Sequence, residues 1–170
     1  MPKRPAGAAD GSVSGAASGA APRAAAGEPI DERAVRALAE QWYAALDRHA
    51  ELTEVTRLLV DDGLELRFPE GTFRGHQGFA RWYEAVCRRF FDERHSLVGV
   101  RCTAAGTGTL VEVRVDWQAR RWQPPAARSE WLGFRAHQSW LVARGPDDGA
   151  PRIRTYVCHA LEPMPGSAAL

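Results

Sequence analysis

The chain has 170 residues, enough for one domain with an extension. Hydrophobic residues make up 45%, charged residues 25%, and the formal net charge is +1. That balance gives no global attraction for nucleic acid or a membrane surface, and no apolar run approaches the ~18 residues that span a bilayer, so a cytoplasmic protein is expected. Of the 22 basic residues only Lys3 is a lysine.

Residues 1–28 are dominated by Ala, Gly, Ser and Pro, with Asp10 where a signal peptide needs an unbroken apolar stretch. Such a segment buries too little surface to offset its ordering entropy and reads as a disordered extension. The folded domain is expected over 29–163, with 164–170 as a C-terminal tail.

Asp31 suits a helix N-cap, with Ile30 and Val35 at the offset of a hydrophobic staple. The run that follows places Val35, Leu38, Trp42, Ala45 and Leu46 on one helical face. A shorter helix is expected from Thr53, carrying Val55, Leu58 and Leu59 until Asp61, Asp62 and Gly63 stop it. Leu64, Leu66 and Phe68 alternate with Glu65 and Arg67, which predicts a strand. Pro69 to Gly71 form a turn, and from His76 a wide stripe of Phe79, Trp82, Tyr83, Val86 and Phe90 predicts a third helix ending at Asp92.

The remainder reads as a β meander with strands near 94–103, 109–122, 129–143 and 152–160. In the second of these, Val111, Val113, Val115, Trp117 and Ala119 face one way, and Asp116 and Arg114 the other. In the third, Leu132, Phe134, Ala136, Gln138, Trp140 and Val142 share a face opposite Arg135, His137 and Ser139. In the last, strict alternation groups Ile153, Thr155, Val157 and His159 on the inner side and leaves Tyr156 outside.

Three helices must cover the apolar face of this long sheet, and long strands twist and coil. The fold class is therefore α+β: a cone-shaped roll with three N-terminal helices packed on a curved, mostly antiparallel sheet around an internal pocket. Phe68, Trp82, Trp117 and Trp140 are expected to line it, with Trp42 beside them.

The stretches "AEQWYAALDRHAELTEVTRLLVDDGLELRFP" and "GTFRGHQGFARWYEAV", followed by three long strands, resemble the nuclear transport factor 2-like superfamily and its SnoaL-like, polyketide cyclase-like branch. The resemblance implies a pocket used variously for isomerisation, dehydration, cyclisation or plain binding, and a homodimer formed through the outer sheet face. Tyr43 falls where ketosteroid isomerase-like members carry an oxyanion tyrosine. Their catalytic aspartate on the first strand is replaced here by Arg67 or Phe68, and their second acid by His137 or Gln138, which argues against that route.

The candidate catalytic residues are Tyr43, Gln138 and His159. Gln138 stands on an apolar face where its amide needs partners, and a histidine titrates near neutrality. His137 and Asp116 are expected outside, His49 and His76 solvated at helix ends. The side to which His95 points is open. Cys87, Cys102 and Cys158 lie in apolar surroundings and read as buried free thiols. No histidine pair has metal-ligand spacing and no glycine loop suits a nucleotide, so no metal or other cofactor is expected.

The expected function is a cofactor-free small-molecule enzyme of secondary metabolism: a cyclase, dehydratase or isomerase on a hydrophobic, polyketide-like substrate. The alternative is a non-catalytic ligand-binding or dimerisation module, with Trp122 and Tyr156 as anchors of a homodimer.

Overall fold

The computed structural model describes residues 29–170; the extension expected over 1–28 lies outside the described residues. The element order is α1 (Glu32–Asp47), α2 (Leu52–Thr56), β1 (Glu65–Phe68), β2 (Gly71–Arg74), α3 (Gly75–Arg89), β3 (Phe90–Ala105), β4 (Gly108–Arg121), β5 (Glu130–Arg144) and β6 (Pro151–Pro163). The six strands form one sheet in the order β2-β1-β6-β5-β4-β3.

Ile30 and Val35 are both buried at the start of α1, as the staple requires, and the Ile30 amide donates to Thr109 Oγ1 of β4 at 2.9 Å. Asp31 occupies the N-cap position without a side-chain capping bond. The third helix ends earlier than expected because the chain extends from Phe90 onward.

Strands β3 to β6 pair antiparallel in sequence, as short connections favour. β1 instead joins β6 in parallel, with Leu66 opposite Tyr156, and brings β2 with it. The intervening helix and strands supply the long crossover that parallel pairing needs. The core fills the concave side: Val111, Val113, Val115, Ala136, Trp140 and Val142 from the sheet meet Val35, Leu38, Trp42 and Phe79 from the helices, and Leu132 packs in a second cluster with Phe90, Ala119 and Phe134.

Two irregularities in β6 decide what faces that core. Register shifts lie between Leu141 and Val142 and between His137 and Gln138 of β5, and each leaves one extra residue in β6, Arg154 and His159 respectively. An extra residue shifts the alternation by one. Ile153 faces in, and after Arg154 the inward positions become Tyr156 and Cys158.

Tyr156 is therefore buried at 4% exposure, stacked on Trp140 with ring centroids 5.4 Å apart, and is corrected from the outer face to the core. His159 is corrected in the opposite sense. It lies exposed on the outer face, with Nε2 2.7 Å from Ser139 Oγ.

Residues 164–170, set apart as a tail, fold back onto the sheet. The Met164 amide donates to Gly133 O at 2.8 Å, the Ala168 amide to Trp131 O at 3.0 Å, and the Gly133 amide to Ser167 Oγ at 3.0 Å. Arg121 Nη2 clamps the end of this segment by donating to Ala169 O at 2.9 Å.

Candidate active site

A cavity of about 100 Å³ opens between the sheet and helices α1 and α3. Its walls are aromatic: Phe68 from β1, Trp82 from α3, Phe90 at the head of β3, Trp117 from β4 and Tyr156 from β6. Phe68 and Trp82 lie parallel with centroids 3.9 Å apart, forming one flat side. Leu170, brought in by the C-terminal segment, closes part of the rim. Four polar side chains share the lining, Glu70, Glu93, His95 and Gln138, with Arg89 at the edge.

His95 is the chemically distinctive member. Asp47, the last residue of α1, accepts from the His95 backbone amide through Oδ2 at 3.0 Å and meets ring Nδ1 through Oδ1 at 2.5 Å. A carboxylate only accepts, so Nδ1 carries a proton, and it is Nε2 that bears the lone pair in the neutral ring. The imidazole is held between two rings: Tyr43 stacks on it at 4.8 Å, and Trp117 lies at 6.4 Å. An oriented histidine with one basic nitrogen in an apolar cavity can remove a proton from carbon or oxygen.

A second carboxylate, Glu93, is buried nearby. Its Oε1 is 2.8 Å from His49 Nε2, and its Oε2 accepts from Trp117 Nε1 at 2.9 Å. His49, expected in solvent, is thus a partner of the cavity wall. His76 is likewise engaged, 3.0 Å from Val60 O.

Tyr43 and Gln138 come together. The Tyr43 hydroxyl donates to Gln138 Oε1 at 2.8 Å, and Trp140 Nε1 donates to the same oxygen at 3.2 Å. Burial, reinforced by Tyr156 and Cys158, holds the Tyr43 phenol well above its ordinary value, and burial does the same for Tyr156. Both remain protonated donors at any ordinary pH. Burial and the nearby Glu70 push the Cys158 thiol up to about 11, so it is not a ready nucleophile.

Of the residues expected to line the pocket, Phe68, Trp82 and Trp117 do so. Trp140 does not: it is fully buried behind Tyr156 and Tyr43, as Trp42 is behind Phe79. His159 is remote from the cavity. With Ser139, His137, Arg101 and Arg114 it lines a separate groove of about 490 Å³ on the outer face. Sequence alone does not single out Asp47 or Glu93, assigns His95 no face, and expects Tyr156 outside as a dimer anchor. Asp47 could have been found, since it stands four residues after Tyr43 on the same side of α1. His95 could not, because a register shift between Leu97 and Gly99 breaks the alternation that would have been traced back from Val100 and Cys102. Among the described residues no cluster of His, Cys, Asp and Glu suits a metal ion, and no helix is long and apolar enough to cross a membrane.

No protein-family model and no curated protein matches the chain. Solved structures do. A hexachlorocyclohexane dehydrochlorinase, LinA-type3 from Novosphingobium barchaimii LL02, superposes with a TM-score of 0.59 at 16% identity, covering 81% of this chain and 92% of that one. A ketosteroid isomerase-like protein from Erwinia carotovora atroseptica SCRI1043 matches with a TM-score of 0.59 at 17% identity over 77% of this chain and 99% of the other. Nuclear transport factor 2 from Cryptosporidium parvum matches with a TM-score of 0.59 at 12% identity over 78% and 93%. The architecture is the nuclear transport factor 2-like fold, and at these identities the likeness speaks to fold alone.

Proposed function

We propose that this chain uses its nuclear transport factor 2-like fold as a cofactor-free acid–base enzyme, a lyase or isomerase, in which His95 is the general base and Asp47 holds it. The observation that carries the reading is the bidentate hold of Asp47 on His95 at the wall of an aromatic cavity. Asp47 fixes the tautomer and faces the imidazolium that forms when Nε2 takes a proton, a role that general acid–base catalysis rewards by roughly 10²–10⁴-fold. The carboxylate missing from the first strand is thereby replaced from α1 and β3. Arg67, where that carboxylate would stand, is exposed and tied to Glu65.

Cavity size argues for a smaller substrate than a fused polyketide skeleton. A closed apolar cavity of roughly 150 Å³ takes benzene, and this one offers about 100 Å³ with an open rim. It suits a single ring with its substituents directed outward. The relatives in this fold include a dehydrochlorinase and a ketosteroid isomerase-like protein, which is in keeping with proton removal without a cofactor.

The test is proton exchange. A panel of single-ring ketones and halides is incubated in deuterated buffer and ring C–H exchange or elimination is followed by NMR. Acceleration by the protein that is lost in His95→Asn and Asp47→Asn supports the reading. If no member of the panel reacts faster with the protein than without it, the catalytic reading fails and a binding module remains.

A second reading concerns assembly. Leu110 on the outer face of β4 and Trp122 just past its end are 43% and 52% exposed, which favours a homodimer packed through the outer sheet.

A further inference from the structure

We infer that the groove on the outer face of the sheet is a second ligand site, in which Arg114, Ser139 and His159 receive the oxyanion of a polar small molecule, a phosphate monoester or a carboxylate. It is separate from the aromatic cavity and does not rest on the His95 reading.

Strand register builds the floor of the groove. Gly99, Arg114 and His137 stand opposite one another across β3, β4 and β5, and Arg101, Glu112 and Ser139 form the next row on the same face. Side chains directly opposite lie ~5 Å apart at Cβ, so the two rows share one surface. Both edges of that surface are irregular: β3 slips between Leu97 and Gly99, and β6 carries His159 as an extra residue where the pairing passes from His137 to Gln138. Such bulges bend a strand and re-aim its side chains.

The first slip leaves a glycine beside Arg114, whose guanidinium lies over it, Nη2 and Nε being 3.5 and 3.7 Å from where a Cβ would stand. The second turns His159 outward, where its Nε2 meets Ser139 Oγ at 2.7 Å. Between them is a hollow of about 490 Å³, a size common for small-molecule sites.

The charges of this face leave one cation over. Glu112 is taken by Arg101 at 3.3 Å, and Asp116 by Arg135 at 2.7 and 2.9 Å. Glu162 stands 3.3 Å from His137 Nε2, within ion-pair reach though outside hydrogen-bond geometry. Among the described residues Arg114 has no carboxylate partner, although it lines the groove. Its planar fork matches two oxygens of a phosphate or a carboxylate.

The Ser139–His159 pair adds a donor in either sense of its hydrogen bond. If the hydroxyl donates to Nε2, the neutral ring keeps its proton on Nδ1; if Nε2 donates, the hydroxyl proton is free. The site is complete within one chain. A second copy packed on this face would bury the Arg114 charge uncompensated, and a bound anion removes that cost.

The experiment titrates glucose 6-phosphate, gluconate and glucose into the full chain at constant ionic strength. The three share a hydroxylated skeleton foreign to the aromatic cavity and carry a phosphate, a carboxylate and neither. Calorimetry gives affinity, and the Arg114 Nε–Hε resonance in NMR gives location. At least one of the two anions should bind and shift that resonance, the tighter identifying the oxyanion, and glucose should not. Arg114→Gln should lower the anion affinity roughly tenfold or more, and Ser139→Ala roughly three- to tenfold. Arg120→Gln, which removes another exposed arginine of the outer face of β4, should leave it unchanged. Failure of both anions to bind, binding of glucose as tight as theirs, or equal loss in Arg114→Gln and Arg120→Gln overturns the site. None of these outcomes bears on the cavity reading, which stands or falls with proton exchange.

Discussion

Asp47 grips His95 twice, through ring Nδ1 at 2.5 Å and through the backbone amide at 3.0 Å, and so ties the end of the first helix to the start of the longest strand. The two residues are 48 apart in sequence. The grip is both structural and chemical, and the two roles separate in variants. Asp47→Asn keeps an acceptor but lets the amide turn, so exchange activity should fall by roughly 10²-fold or more. Stability should fall by only about 1–2 kcal/mol, since the carboxylate is partly solvated. Equal loss in Asp47→Asn and in the folded fraction by circular dichroism would assign the pair to stability alone.

The wall formed by Phe68 and Trp82 sets the size limit. Phe68→Ala removes one ring of a stacked pair while leaving the remaining walls in place. We expect naphthalene, excluded from the native cavity, to bind the variant and quench Trp82. Phe68 is half-buried, so the stability cost should be roughly 2 kcal/mol, below the 3–5 typical of a core phenylalanine. Naphthalene binding to the native chain with equal affinity would mean that the rim, not this wall, sets the limit.

The inward set of β4 and most of β5 was legible because each strand alternates without interruption from Val111 to Ala119 and from Leu132 to Val142. Tyr156 and His159 exchanged faces because pairing shifts insert Arg154 and His159, and nothing local in that strand marks a bulge. His95 was hidden for the same physical reason on β3. Gln138 was recognised by type, as a polar residue on an apolar face. Which atom it would offer depended on Trp140, two residues away on the same face, and on Tyr43, 95 residues away.

The C-terminal segment should govern exchange at the rim. Leu170 touches the cavity, and Arg121 Nη2 bridges Ala169 O and Glu130 Oε2 at 2.9 and 2.8 Å. Gly133 is the dock: a Cβ there would collide with the Trp131 ring and press on Met164 Sδ. Gly133→Ala should therefore loosen the segment, and deletion of residues 166–170 should free it altogether. Both should speed ligand association and release in stopped-flow fluorescence, the deletion more. Unchanged rates in the deletion would remove the segment from any role at the rim.

Alkaline stability should reveal the buried phenols. Tyr43 and Tyr156 are held well above their ordinary value of 10.0 by burial. The folded state therefore keeps protons that the unfolded chain releases as pH rises past ~10. The stability linked to these groups is fully present below that pH and declines above it, by up to roughly 1.4 kcal/mol per pH unit for each phenol. Cys158, raised to about 11 from 9.0, begins the decline one unit earlier. In urea titrations Tyr156→Phe should flatten the fall above pH 10, and Cys158→Ala the part between 9 and 11. A Tyr156→Phe profile parallel to that of the native chain would contradict the burial of that hydroxyl.

Assembly is the remaining test. Leu110 near the start of β4 and Trp122 just past its end are 43% and 52% exposed, and between them in sequence Asp116 forms a two-point pair with Arg135 of β5 at 2.7 and 2.9 Å. A neighbouring copy meeting this face would bury two apolar anchors around one charge pair that is already neutralised, which lowers the desolvation cost of that pair on association. Sedimentation should find a dimer, and Leu110→Arg or Trp122→Arg should shift it toward monomer while leaving single-ring binding intact, because the cavity opens on the other side of the sheet. A native chain that sediments as a monomer at high concentration would refute the outer-face dimer.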